Sequence, residues 1–194
     1  MNEIYIDDED SVSILSIDPG TTNLGYAIIK INIATTEIIE AFAWTVDATR
    51  LVFYREDIIP THSEKFARII SHKQNLKNVL DFYKPLIVVS ETPFFNMKRA
   101  SAAGPLYELL TTVEQTIYEW DKYKPLYKID PKTVKKTVGA SHNAKKPEMR
   151  ECVSKVKELS CACLDLLDEH SIDALAVGYT YVIKQIRNRG KQNV

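Results

Sequence analysis

Cysteine is scarce in this sequence, and no apolar run is long enough to cross a membrane. The 194 residues include three cysteines, Cys152, Cys161 and Cys163, whose spacing matches neither a CxxC pair nor a zinc site. We therefore expect free thiols in a reducing compartment. No apolar run approaches the roughly 20 residues that span a bilayer, and the acidic N-terminus lacks the pattern of a secretion signal. These absences predict a cytoplasmic protein without a membrane partner.

Net charge is almost absent, but the charged residues are unevenly placed. The formal net charge at pH 7 is −1. Residues 1–10 carry five acidic residues and no basic one, whereas residues 121–157 carry eleven Lys or Arg against four acidic residues. A chain polarised in this way can present one basic face to a phosphate backbone. A solvated charged face without a partner explains the same charges equally well.

Hydrophobic patterning predicts a mixed α/β fold. Short β-branched and aromatic segments indicate three antiparallel strands, and two later apolar runs read as buried parallel strands. Apolar residues at i, i+3 and i+4 spacing indicate helices between and after them. The predicted strands cover about 12–19, 25–32, 36–46, 86–90 and 125–129. The predicted helices cover 63–83, 101–120, a short segment after 130, 147–163 and 169–187, with a loop over 47–61.

This order predicts a five-stranded sheet, with three antiparallel strands followed by a parallel β-α-β-α-β run and helices on both faces. We expect one domain over residues 12–187, because no repeat, linker or low-complexity segment interrupts it. Residues 1–11 read as an acidic arm and residues 188–194 as a basic tail.

The segment SIDPGTTNLGYAI, residues 16–28, joins the first two predicted strands through a lone aspartate and a Pro-Gly turn. One interpretation is an ordinary hairpin in which Asp18 bonds the amides of its own turn. The rest of the chain offers another, since Glu91 ends the central strand in the same way. Asp173 lies in the first turns of the last helix, with His170 three residues earlier on the same face.

Three carboxylates and an imidazole suit Mg²⁺ or Mn²⁺ when phosphate oxygens complete the coordination shell. Two such ions, about 3.5–4 Å apart, can activate water for phosphodiester hydrolysis. Periodicity alone does not show that Asp18, Glu91 and Asp173 converge. An acid at a strand end or a helix N-terminus also serves as a cap or a surface charge.

Four segments, in chain order, resemble the motifs of RuvC-type Holliday junction resolvases. They are IDPG and NLGY (17–20 and 23–26), ETPF with Ser-Ala (91–94 and 101–102), VKKTVG with AKK (134–139 and 144–146), and HSIDALA (170–176). The resemblance extends from about residue 13 to 186 and implies a ribonuclease-H-like fold.

By this resemblance, Asp18 bridges two metal ions, and Glu91 and Asp173 each hold one. His170 falls where the family places Asp or His, and it either ligates a metal ion or orients the attacking water. A helix-terminal histidine without such a role is the alternative. Neighbouring acids are possible rivals as ligands, with Glu169 the strongest because it lies at i, i+4 from Asp173; the others are Asp165 and Asp168.

The resemblance also implies DNA-binding residues. Phe94 takes the position of an aromatic residue that enters the junction, with Phe95 beside it. Base stacking on an aromatic ring supplies about 1–3 kcal/mol, although two adjacent phenylalanines also occur as core residues. The remaining candidates are basic residues expected to contact phosphates without reading base sequence: Lys98, Arg99, Lys132, Lys135, Lys136, Lys145 and Lys146.

The sequence therefore predicts a structure-selective endodeoxyribonuclease that resolves Holliday junctions by paired symmetric nicks. A homodimer would match the approximate two-fold symmetry of a four-way junction, with the helix over 101–120 as the expected contact. The acidic arm and the tail have no counterpart in the bacterial pattern, which suggests a viral or phage member acting in the host cytoplasm.

Three alternatives stay open. One is a ribonuclease-H-like nuclease that acts on other branched DNA or on RNA. Another is an actin-like ATP-binding phosphotransferase, because DPGTTN (18–23) also resembles the phosphate-binding opening of those proteins. That fold needs a second domain and a second glycine-rich loop, which this sequence does not offer. The third is a catalytically inactive nucleic-acid-binding module.

Overall fold

A computed structural model describes residues 10–93 and 100–188. One five-stranded sheet organises them, with strand order β3-β2-β1-β4-β5. β1 pairs antiparallel with β2, and β2 with β3, whereas β1–β4 and β4–β5 are parallel. The strands are β1 (Ser11–Asp18), β2 (Asn23–Asn32), β3 (Ile38–Asp47), β4 (Ile87–Glu91) and β5 (Leu126–Ile129). This arrangement confirms the predicted mixed sheet.

Six α-helices surround the sheet in the described residues. They are α1 (Ile59–His62), α2 (Glu64–Tyr83), α3 (Ala100–Trp120), α4 (Pro131–Thr137), α5 (Lys146–Ser154) and α6 (Glu169–Tyr181). None of these helices has both the length and the apolar character that crossing a bilayer requires.

Helices cover both faces of the sheet because its central strands are apolar on both faces. On β1, Ile14 packs into one core with α4, α5 and α6. Its neighbour Leu15 points to the opposite face, as the two-residue period of a strand requires, and packs into a second core with α2 and α3. Both side chains are fully buried. β1, with its carboxyl-terminal aspartate, is therefore fixed from both faces.

The predicted helix over 147–163 is wrong in its second half. α5 ends at Ser154, and 3₁₀ helices follow at Lys157–Ala162 and Leu164–Leu166. Val156 is extended, with φ −78° and ψ 100°, so the chain bends here. The bend carries Leu159 into the core, where it is fully buried. Tertiary packing has overridden the local helical pattern.

Two other boundaries also differ from the prediction. The last helix is α-helical only to Tyr181 and continues as a π-helix over Val182–Arg187. Arg187 anchors that turn by donating to the Thr36 carbonyl and pairing with Glu158. The predicted loop over 47–61 contains α1 and 3₁₀ turns at Ala48–Arg50 and Glu56–Ile58. Each of these segments is too short to show a periodic apolar stripe.

Candidate metal-dependent nuclease site

Parallel pairing places two carboxylates at the same edge of the sheet. β1 and β4 run side by side, with Ile17 opposite Ser90. Asp18 and Glu91 are the next residues and end their strands. Asp18 is only 9% exposed, and Glu91 is partly buried. The carboxyl ends of adjacent parallel strands therefore account for the first half of the site.

Helix α6 brings the other two residues to this edge. Its second turn is held against the sheet because the Ser16 hydroxyl donates to the Ala174 carbonyl at 2.8 Å. The approach also needs a glycine on β2, since a Cβ atom on Gly25 would lie 2.2 Å from the His170 carbonyl oxygen. Gly25 pairs with Asp18 across β1 and β2. His170 and Asp173 thus lie in the first two turns of α6, directly beside the strand that carries Asp18.

A direct hydrogen bond joins Asp18 and His170. The His170 Nδ1 atom lies 2.9 Å from the Asp18 Oδ2 atom. This bond raises the pKa of His170 above its ordinary value, against the opposing effect of burial. The charged imidazolium is therefore favoured when the carboxylate has no other cation nearby.

The two remaining carboxyl groups have strongly raised pKa values. Burial raises the pKa of Glu91 to about 8, and the negative charges of Asp18 and Asp173 add to the shift. Burial and the charge of Asp18 raise the pKa of Asp173 to about 7. These shifts show that burial and the nearby carboxylates outweigh the positive charges of Lys135, Lys146 and His170 at Glu91 and Asp173.

The donor set fits a hard divalent cation. Carboxylate oxygens with an imidazole nitrogen are ligands for Mg²⁺ or Mn²⁺, and a cation here would offset the repulsion that raises the pKa values of Glu91 and Asp173. In residues 10–93 and 100–188, however, no three His, Cys, Asp or Glu side chains are gathered closely enough to hold an ion as they stand. Like charges without a cation repel one another, and Asp18 is turned to His170.

The rival acids have other partners. Asp168 caps α6 by accepting from the Ser171 amide at 2.9 Å, and it also accepts from the Thr45 hydroxyl at 2.5 Å. Glu169 forms an ion pair with Lys146, and its Oε1 atom lies 3.6 Å from the His170 Nε2 atom. Asp165 is exposed on a 3₁₀ turn. Glu169 is therefore beside the acid cluster, whereas Asp168 serves the start of the helix.

The predicted phosphate-binding lysines do not share one environment. Lys135 is partly buried, and its Nζ atom donates to the Ala144 carbonyl at 3.0 Å and to the His142 carbonyl at 3.4 Å. Its charge also lowers the pKa of Glu91, so it braces the loop next to the acid cluster. The other four side chains are exposed on or beside α4 and α5: Lys132, Lys136, Lys145 and Lys146.

A surface cleft of about 480 Å³ opens beside the acid cluster. Asp173, Lys146 and Arg150 are among its lining residues. Sequence reasoning did not single out Arg150, whose guanidinium donates to the carbonyls of Leu164 and Leu167 and so fixes the segment before α6. No motif signals such a bond, because its acceptors are backbone atoms. Four predicted DNA-binding residues lie outside the described residues: Phe94, Phe95, Lys98 and Arg99.

The sheet order and the strand-end acids define a ribonuclease-H-like fold, and solved structures agree. RuvC of Thermus thermophilus in complex with a Holliday junction substrate aligns with a TM-score of 0.61 at 23% identity, covering 87% of this chain and 92% of that one. The yeast mitochondrial Holliday junction resolvase Ydc2 aligns with a TM-score of 0.59 at 16% identity, covering 93% and 84%.

The sequence comparison points to the same group. No family model matches the chain. A curated RuvC crossover junction endodeoxyribonuclease from Thermomicrobium roseum is 28% identical over 172 residues, which are 87% of this chain and 91% of that protein. The resemblance to RuvC-type resolvases inferred from the four motifs is thereby confirmed.

Proposed function

We propose that this protein is a structure-selective endodeoxyribonuclease that resolves four-way DNA junctions by paired symmetric nicks. The observation that carries the proposal is that β1 and β4 end, and α6 begins, at one edge of the sheet, where these elements carry Asp18, Glu91, His170 and Asp173. Its relatives are named for this activity. We also propose that it acts in the cytoplasm, or in the host cytoplasm if the protein is viral.

In this proposal the acid cluster holds two divalent ions, Mg²⁺ or Mn²⁺. Asp18 would contact both, and Glu91 and Asp173 one each. When bound, such ions lower the pKa of water and stabilise charge on the leaving oxygen. The protein's own part is to hold Glu91 and Asp173 on rigid elements at this edge and to hold His170 by its Nδ1 atom, whereas a bound cation would favour the ionised carboxylates. The Nε2 atom of His170 is then aimed away from Asp18, where it can orient or accept a proton from the attacking water.

The substrate would lie across the exposed lysines of α4 and α5. Lys132, Lys136, Lys145 and Lys146 offer phosphate contacts that carry no base information. We assign Lys135 to the support of the loop between them, because its ammonium group is bound by two backbone carbonyls. Phe94, Phe95, Lys98 and Arg99 remain proposed junction contacts on the resemblance alone.

We further propose a homodimer that uses α3. A four-way junction has approximate two-fold symmetry, so two sites related by a two-fold axis match two symmetric nicks. On α3, Tyr107 and Tyr118 are 47% and 62% exposed. They lie eleven residues apart, close to three helical turns, and so share one face. Exposed tyrosines on one face are typical of protein interfaces.

The test is incubation of the protein with an immobile four-way junction and Mg²⁺. We expect two nicks of like polarity, placed symmetrically across the crossover, whose products T4 DNA ligase reseals. Three-way, flap and linear duplexes, with an RNA–DNA hybrid, form the comparison set. Equal cleavage of the flap or the hybrid would support a related nuclease of another specificity, and it would contradict junction resolution.

A further inference from the structure

An ion pair lies in the cleft beside the acid cluster. Lys146 is the first residue of α5 and Glu169 the first residue of α6, and the Lys146 ammonium group donates to the Glu169 carboxylate. Both residues line the cleft of about 480 Å³ together with Asp173. The pair therefore joins the starts of two helices next to a residue of the proposed metal site.

Glu169 also faces the imidazole ring of His170. Its Oε1 atom lies 3.6 Å from the His170 Nε2 atom, which is the ring nitrogen that does not contact Asp18. Burial is the main cause of the raised pKa of Asp173, and the charge of Glu169 adds to that shift whereas the charge of Lys146 opposes it. Both charges of the pair therefore act on the acid cluster.

The other charged residues that line the cleft are held by groups outside this pair. The Arg150 guanidinium donates to two backbone carbonyls in the segment before α6. Asp168 caps α6 and accepts from the Thr45 hydroxyl. Among the residues that line the cleft, Lys146 is therefore the cation whose partner is a carboxylate, and Glu169 is the acid whose partner is a lysine.

A phosphate group can take the place of Glu169 on Lys146. Carboxylate and phosphate oxygens both accept charge-assisted hydrogen bonds from an ammonium group, which acts as a point charge without a fixed geometry. The side chains of Lys146 and Glu169 are 59% and 44% exposed, and exposed ion pairs are weakly held. A DNA phosphate that neighbouring lysines also attract therefore has little to overcome in displacing Glu169.

We infer that Glu169 is an internal competitor of DNA for Lys146. In the protein without DNA the Glu169 carboxylate binds the Lys146 ammonium group, and a phosphate of a strand that enters the cleft replaces it. Glu169 thereby lowers the affinity of the protein for DNA. The inference rests on the proposed function in one respect, namely that DNA is the ligand, and it is independent of which DNA structure is cleaved.

Two simpler roles for Glu169 give different expectations. An acid in the first turn of a helix stabilises that helix through its dipole, and Glu169 lies in the first turn of α6. An acid near a DNA-binding surface also repels phosphates directly. Neither of these effects needs a lysine at position 146. Competition does need it, so a double-mutant cycle on the two residues distinguishes competition from both.

The test is that cycle on the full-length chain, with binding of a fluorescent four-way junction followed by anisotropy in EDTA. We expect Glu169→Gln to tighten binding about 3-fold, as the loss of one exposed pair implies. The slope of log K against log salt should steepen by up to about 1, because binding no longer frees a carboxylate that takes up a cation. In the Lys146→Ala background the same substitution should change the affinity by less than about 1.3-fold.

Glu151→Gln is the matched control, because Glu151 also lies on α5 and pairs with a lysine, Lys155. This variant should bind the junction like the wild type. An equal gain from Glu169→Gln with and without Lys146 would assign the effect to repulsion or to the helix, and it would overturn the inference, as would no gain in either background. A wild-type protein that binds no junction would overturn the proposed function as well, so the two failures are distinct.

Discussion

The acid cluster and the lysine surface of α4 and α5 carry opposite charges and are built in opposite ways. Asp18, Glu91 and Asp173 are held on rigid elements, largely removed from water, and the pKa values of two of them are raised far above ordinary. The lysines of α4 and α5 are mostly solvated. Burial makes each acid sensitive to its neighbours, whereas exposed charges act almost independently.

This difference in burial lets the two regions serve the two tasks of the proposed function, which are phosphodiester cleavage and DNA binding. A buried acid affects chemistry because its protonation and its position depend on the other members of the cluster. In the proposed function, an exposed lysine would contribute to DNA affinity through phosphate contacts that add roughly independently. Changes in the acid cluster should therefore affect cleavage and stability, and changes in the lysines should affect binding and its salt dependence.

The largest expected effect is the fall in the DNA cleavage rate caused by the substitution Asp18→Asn. Loss of the carboxylate that would contact both ions should lower the rate about 1000-fold or more, about 4 kcal/mol of barrier. Junction affinity should stay within about threefold, because the lysines are untouched. Single-turnover cleavage and gel-shift titration measure the two quantities. A parallel loss of binding would show that the two regions are not separate.

The next largest effect is expected from Gly25→Ala. The added methyl group would meet the His170 backbone, with its carbonyl carbon at 2.6 Å, so the start of α6 must move. We expect the free energy of unfolding to fall by about 3 kcal/mol. Cleavage should fall about 100-fold because Asp18 and His170 separate.

Gly104→Ala is the matched control for that substitution. A Cβ atom on Gly104 would meet nothing within 4 Å in α3, so this change should be neutral or stabilise by up to about 1 kcal/mol. Chemical denaturation compares the two variants. A Gly25→Ala protein as stable and active as the control would contradict the close approach of α6.

Glu91→Gln should stabilise the protein at high pH when divalent ions are removed by EDTA. The folded-state pKa of Glu91, about 8, exceeds its ordinary value of 4.5. The ionised group therefore destabilises the fold increasingly from pH 4.5 to 8, and not below that range. We expect the variant to gain about 2 kcal/mol over the wild type at pH 8.5 relative to pH 4.5, less than the roughly 5 kcal/mol of the full shift because partial exposure of Glu91 screens part of it.

Glu151→Gln serves as the control, because Glu151 is exposed and paired with Lys155. Its stability relative to wild type should stay nearly constant over the same pH range. Adding Mg²⁺ at pH 8.5 should raise the melting temperature of the wild type and change that of Glu91→Gln much less. If the difference in melting temperature between Glu91→Gln and the wild type does not change with pH, then Glu91 is not held in a carboxylate-rich environment.

The smallest expected effect comes from the lysine surface. Lys132→Ala with Lys136→Ala should weaken junction binding about 10-fold and reduce the slope of log K against log salt by about 2. Lys77→Ala, on α2 across the sheet, should leave both quantities unchanged. Cleavage at saturating protein should also be unchanged. If the slope of log K against log salt is unaltered in the double variant, then α4 does not belong to the DNA-binding surface.

The strand ends were the most predictable part of the molecule. Asp18 and Glu91 follow continuous apolar runs, and parallel strands align their carboxyl ends, so the mixed sheet and the position of these two acids followed from local patterns. The close approach of α6 depends on Ser16 and Gly25, whose contacts lie more than a hundred residues away. Lys135 illustrates the same limit, because a basic motif does not reveal that the ammonium group binds loop carbonyls.

The central claim is that Asp18, Glu91 and Asp173 form one divalent cation site, and a Mn²⁺ titration followed by electron paramagnetic resonance tests it most directly. At pH 8 the wild type should bind Mn²⁺ without DNA, and Asp18→Asn, Glu91→Gln and Asp173→Asn should each weaken binding at least about 10-fold. Glu169→Gln, which alters the neighbouring acid paired with Lys146, should bind like the wild type. Undiminished Mn²⁺ binding by the three cluster variants, or loss confined to Glu169→Gln, would contradict the account.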